Sequence, residues 1–154
     1  MPPAATVKAL FRSQGHRARL LPQEALILVE GEGAEGEPKS GKGRRRALLA
    51  VDAETLAEEG LRPGDLREQL VLAGVGVDRL PEGTLLRVGE AVVAVGHPCT
   101  PCYRMDELRP GLQERLRGRR GTFLKVVRGG RVRVGDAVLP TESADQARLS
   151  DWSA

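Results

Sequence analysis

Aromatic side chains are nearly missing from this chain, with one Trp, one Tyr and two Phe in 154 residues. Its core must therefore be aliphatic, built from Leu, Val and Ala. Binding of single-stranded nucleic acid relies on aromatic stacking platforms, and only Phe11, Tyr103, Phe123 and Trp152 are available. Asparagine is absent, and arginine far outnumbers lysine. This fits a GC-rich or thermophilic source, because Asn is thermolabile. No apolar run reaches the roughly 18 residues of a transmembrane helix, so no membrane span is expected. The opening MPPAATVKAL lacks the basic, apolar and small-residue regions of a signal peptide. The expected setting is cytoplasmic and reducing. An excess of one charge is also lacking. The formal net charge is +3 and the signs are interspersed, the pattern of a solvated surface rather than a nucleic-acid footprint.

A chain of this length suits one domain and can bury roughly 70% of its unfolded surface, so it needs no disulfide or metal to fold. TVKALF, EALILVE and ALLAVD are short apolar runs suited to strands. Between the last two lies GEGAEGEPKSGKGRRR, residues 31 to 46. It has no hydrophobic period and reads as a loop. DAETLAEEG predicts a short helix with Asp52 as N-cap and Gly60 as its stop. LREQLVLAG predicts another strand. TLLRV and AVVAVG predict a hairpin turning at Gly89 and Glu90. TFLKVVRGGRVRVGDAVLP predicts a second hairpin turning at Gly129 and Gly130, with a further turn from Gly135. RVGEAVV at 87 to 93 echoes RVGDAVL at 133 to 139, as two similar hairpins would. DELRPGLQERLRG reads as helix on both sides of Pro110. Many strands and few helices predict a mainly β, β-rich α+β domain whose mixed sheet is barrel-like. It is expected over residues 1 to 140, with 141 to 154 a polar, partly disordered tail.

Both cysteines lie in VGHPCTPCYRMDEL, as Cys99 and Cys102. A structural zinc site wants four ligands, and the remaining soft candidates are His16 and His97. A thioredoxin-like dithiol wants a βαβ setting, which the flanks imitate only locally. Two buried cysteines packing as small hydrophobes are a further reading. Against it, glycine and two prolines mark a loop at a strand end, where sites are commonly built. The remaining reading is a single working thiolate, which is a nucleophile, a sulfur carrier and a soft metal ligand. Arg104 adds positive charge nearby.

The stretch LRPGDLREQLVLAGVGVDRLPEGTLLRVGEAVVAVGHPCTPC, with FRSQGHR before it and GRRGTFLKVVRGGRVRVGDAV after it, resembles the MOSC domain family. That family is named after the C-terminal part of molybdenum cofactor sulfurase. The resemblance implies a β-rich fold that holds the molybdenum cofactor, a phosphate-bearing molybdopterin with a dithiolene-bound metal. It also implies one of two activities. The first is sulfur transfer with cysteine persulfide as the carrier. The second is molybdenum-dependent reduction of N-hydroxylated compounds.

The resemblance assigns Cys102 as the catalytic thiol and molybdenum ligand. It assigns cofactor contacts to Arg12 and Ser13 after the first strand, Arg46 before a later one, Arg67 and Gln69 at an Arg-x-Asn step, and Thr100 in the cysteine loop. Gln69 stands where the family usually has Asn. Arginine forks and amides on strand ends suit a phosphate and a pterin. The implied partners are a redox electron donor or a cysteine desulfurase, besides a small-molecule substrate. Pyridoxal phosphate would sit only on that desulfurase. Two alternatives differ in class. One is an anion- or nucleic-acid-binding β-barrel using GKGRRR, RGRRG and RGGRVRVG. The other is a Cys-x-x-Cys dithiol oxidoreductase.

Overall fold

The computed structural model describes residues 5–15, 20–37 and 48–142. Among them the order is β1 (Thr6–Ser13), β2 (Leu20–Gln23), β3 (Ala25–Val29), β4 (Gly33–Ala34), β5 (Leu48–Asp52), α1 (Ala53–Glu58), β6 (Leu70–Ala73), β7 (Leu85–Val88), β8 (Ala91–Pro98), α2 (Arg104–Leu108), α3 (Leu112–Arg115), β9 (Thr122–Arg128), β10 (Gly130–Arg133) and β11 (Val138–Thr141). A 3₁₀ turn at Val77–Arg79 follows β6. No described helix is long and apolar enough to cross a membrane.

Eight strands make one mixed sheet in the order β11-β7-β8-β9-β5-β6-β1-β2, and β10-β3-β4 make a second. Only β5 and β6 pair in parallel in these ladders. The large sheet curls until its ends approach. Val7 N–H reaches Asp136 C=O at 2.9 Å, and Gly135 N–H reaches Val7 C=O at 2.8 Å. This contact is one isolated bridge, Thr6 to Ala137, and the sheet is not closed into a barrel. The β-rich reading with a few short helices therefore holds.

β5 shows why the fold has two cores. Leu48 and Ala50 enter one cluster with Val7, Leu10, Leu70 and Leu124. Leu49 and Val51 enter the other with Phe11, Leu56, Met105, Leu112 and Leu116. Alternate side chains point to opposite faces, so a strand covered on both sides must be apolar throughout. The three helices supply residues to the second cluster only. They therefore cover that face of the sheet.

The expected hairpin at Gly89 and Glu90 is present, as Val88 pairs with Ala91. The expected hairpin at Gly129 and Gly130 is not. β9 pairs with β8 and β5, whereas β10 pairs with β3. The two glycines carry the chain from one sheet to the other. A Cβ at Gly129 would lie 2.6 Å from Leu28 O, and one at Gly130 would lie 2.5 Å from Glu90 O. The second member of the sequence echo is no hairpin either, because β10 pairs with β3 and β11 with β7. Asp52 sits at the N-cap of α1 without capping it, because its Oδ1 accepts Val77 N–H at 2.8 Å instead. The loop expected from residue 31 contains β4 and a buried Glu37. Residues 38 to 46 of that loop and residues 143 to 154 of the tail lie outside the described residues.

Candidate functional site

β8 ends because its sequence stops supplying ladder donors. Proline has no N–H, and Pro98 and Pro101 bracket Cys99 and Thr100. The last rung is Cys99 N–H to Gly121 C=O at 2.8 Å. Beyond it the loop is held by Met105 N–H on Cys102 C=O at 2.9 Å, and by Gln113 Nε2 on Pro101 C=O at 3.4 Å. Both cysteines are free thiols, with Cys99 half-buried and Cys102 exposed. Cys99 packs against the second core. His97 packs against Phe123 in a tilted arrangement with ring centroids 5.0 Å apart. No group of three or more His, Cys, Asp or Glu among the described residues could hold a metal ion. His16 lies outside them.

A buried polar cluster underlies this loop. Arg120 is 8% exposed, and its Nη1 is buried without a hydrogen-bond partner. Asp78 takes the Thr122 hydroxyl on Oδ1 at 2.8 Å, while its Oδ2 is buried and unpartnered. Burial pushes the Asp78 carboxyl upward, opposed by the Thr122 hydroxyl. Burial also pushes the Cys99 thiol up, and Arg120 is the charge that opposes this. The charge of Arg120 also acts on Glu68. Glu68 is fully buried and accepts Gly64 N–H at 2.6 Å and Leu66 N–H at 3.1 Å. Burial raises its carboxyl despite these bonds.

The remaining expected site residues have these surroundings. Ser13 and Gln69 are brought together by buried Glu37, which accepts Ser13 N–H at 2.6 Å and Gln69 Nε2–H at 3.4 Å. Gln69 also clasps β5, its Oε1 taking Leu49 N–H at 2.8 Å and its own N–H reaching Leu49 C=O at 3.0 Å. The Arg12 guanidinium runs along Gly36, where an added Cβ would lie 3.3 Å from Nη1. Arg67 is exposed and has a φ of 63°, the left-handed region that few non-glycine residues occupy. Thr100 lines a cavity of about 310 Å³ with Pro101, Asp106, Gln113 and Arg117 among its walls. Arg46 is outside the described residues.

The MOSC domain model matches residues 43–139, more than half of the chain. The chain belongs to the MOSC domain family. Among solved structures, this MOSC domain is similar to YuaD from Bacillus subtilis, with a TM-score of 0.72 and 17% identity over 92% of this chain and 98% of that one. YiiM from Geobacillus stearothermophilus gives a TM-score of 0.67 at 17% identity, over 93% of this chain and 78% of that one. YiiM from Escherichia coli gives 0.66 at 20% identity, over 93% and 72% respectively. At such identities these likenesses concern the fold. No curated protein matches the sequence.

Sequence reasoning missed Arg120, Asp78 and Glu37. Arg120 belongs to GRRG, which reads as surface charge until β9 and the cysteine loop bury it. Glu37 sits in a charged, glycine-rich stretch where nothing local predicts burial.

Proposed function

We propose that this MOSC domain binds the molybdenum cofactor and carries sulfur as a persulfide on Cys102. The observation that carries the reading is the placement of Cys102. Its thiol is exposed on a loop that is pinned at both ends, and its neighbour Cys99 is half-buried. An exposed thiol suits exchange with a macromolecular donor, because attack on a persulfide requires access. The Cys102 thiolate takes the terminal sulfur of a donor persulfide, and the donor cysteine leaves as its thiolate. That donor is a cysteine desulfurase, which holds its own pyridoxal phosphate.

Arg120 puts positive charge beside Cys99 in this loop, and its buried, unpartnered Nη1 would take an anionic group only where the packing over it opens. Cys102 and Arg120 would hold the cofactor there. Ser13 and Gln69 are further donors, but Glu37 now engages both. Anion binding at those two groups therefore requires the carboxylate of Glu37 to give way. When bound, the cofactor supplies a molybdenum centre able to accept sulfur or exchange electrons.

The test has two measurements. Protein made in a cofactor-producing host should copurify with molybdenum and pterin fluorescence, above the level of Cys102→Ala. Incubation with a desulfurase and free cysteine should add one sulfur atom to Cys102. No adduct on Cys102 would sink the carrier reading. If molybdenum copurifies in that case, reduction of N-hydroxylated compounds becomes the activity to assay.

A further inference from the structure

We propose that Cys99 is the resolving thiol of the sulfur carrier. Its sulfur attacks the inner sulfur of the Cys102 persulfide, closing a Cys99–Cys102 disulfide and expelling hydrosulfide. The proposal rests on the carrier reading above.

Three observations assign Cys99 this role. The two cysteines share one loop, fixed by Gly121 C=O on the Cys99 side and by Met105 N–H on the Cys102 side. Their exposures differ, so an external donor meets Cys102 while Cys99 faces the second core. Arg120 is buried with its Nη1 unpartnered, and its charge reaches Cys99. Burial pushes the Cys99 thiol up, and its half-buried position leaves it less open than Cys102 to an external donor. Positive charge then favours the anions formed on discharge, the attacking thiolate and the departing hydrosulfide.

The step balances. The sulfur–sulfur bond of the persulfide breaks and the disulfide bond forms. The terminal sulfur is reduced to sulfide, and the two cysteines are oxidised together to the disulfide. The proton of the Cys99 thiol leaves with the sulfide. An external dithiol reductant then resets the pair. Sulfide is thus set free beside a buried arginine and not handed directly to a second protein.

The experiment uses the reduced full chain as wild type, Cys99→Ser, Cys99→Ala and Cys102→Ser. Each is loaded with inorganic polysulfide and, separately, by a cysteine desulfurase. Intact mass and released sulfide are followed over time. Wild type should release one sulfide for each persulfide and end lighter than the reduced chain by two hydrogens. Both Cys99 variants should accept sulfur on Cys102, which also shows that they fold. They should hold it at least about tenfold longer than wild type.

Equal persulfide lifetimes in wild type and the Cys99 variants overturn the proposal. So does discharge of wild type without an internal disulfide, or failure of polysulfide to load Cys102. If the desulfurase loads Cys102 and the persulfide persists, the carrier reading stands and Cys99 has no resolving role. If only polysulfide loads Cys102 and wild type then discharges through Cys99, the carrier reading fails and the two-thiol chemistry stands.

Discussion

Gly121 holds the cysteine loop through its backbone alone. Its φ is 116°, and a Cβ there would lie 2.9 Å from both Ala50 O and Val51 Cγ2. Gly121→Ala therefore forces a strained backbone against β5, at a cost of about 1–3 kcal/mol. Urea unfolding should show that loss. Proton exchange at the Cys99 N–H, whose acceptor is Gly121 C=O, should also quicken. Arg67 presents the opposite case. A non-glycine residue at its φ of 63° costs roughly 1–2 kcal/mol. Arg67→Gly should thus gain about 1 kcal/mol in urea unfolding. If Arg67 contacts the cofactor, the same variant should copurify with less pterin. Stability and occupancy moving in opposite directions would separate a functional arginine from a merely tolerated one.

At the scale of elements, the helices are tied together by Glu59, which follows α1. Its side chain is 1% exposed and meets Arg109 at 3.0 Å and Arg115 at 2.6 Å. Arg119 joins it too, and Arg109 also caps the Glu59 carbonyl at 2.5 Å. The Arg115 hydrogen bond, reinforced by Arg119 and opposed by burial, lowers the Glu59 carboxyl from 4.5 to about 2. A carboxyl lowered in the folded state stabilises the fold above its unfolded value and loses that contribution as pH falls. Glu59→Gln should therefore be less stable than wild type by about 1–2 kcal/mol at neutral pH, allowing for solvent screening at the half-exposed arginines. The gap should hold down to the ordinary value of 4.5 and close as pH falls toward 2. Thermal melts of both proteins across that range check this. A gap that stays constant with pH would mean that packing, not charge, ties the helices.

For the whole molecule, β10 and β11 act as staples supplied late in the chain. β10 completes the small sheet along β3 from Ala25 to Leu28. β11 covers β7 over Leu85 to Val88, and the residues before it meet β1. A chain ending at Arg128 would leave the exposed ladder edges of β3 and β7, a setting prone to association. It would also lose Val132 and Val138 from the first core. That truncation should lack a cooperative unfolding transition and elute as aggregates in size-exclusion chromatography. A monomeric, cooperatively unfolding product would show that the remaining strands suffice.

Strand runs, the β7–β8 hairpin, the helices flanking Pro110 and the cysteine loop after β8 were legible in sequence because each depends on local information. Alternation, glycine, proline and short apolar runs act over a few residues. Family resemblance was legible for the same reason, since its motifs are contiguous. The failed hairpin at Gly129 and Gly130 shows where such information ends. A glycine pair permits a tight turn and a close crossing of two sheets alike, and only the atoms at Leu28 and Glu90 decide between them. Likewise Cys99 and Cys102 look equivalent in GHPCTPC, and Arg119 and Arg120 look equivalent in GRRG. The sequence by itself determined a β-rich MOSC chain with two thiols on one loop. Tertiary structure decided which thiol is exposed and which arginine is buried with one nitrogen unpartnered, because burial depends on segments that arrive from far along the chain.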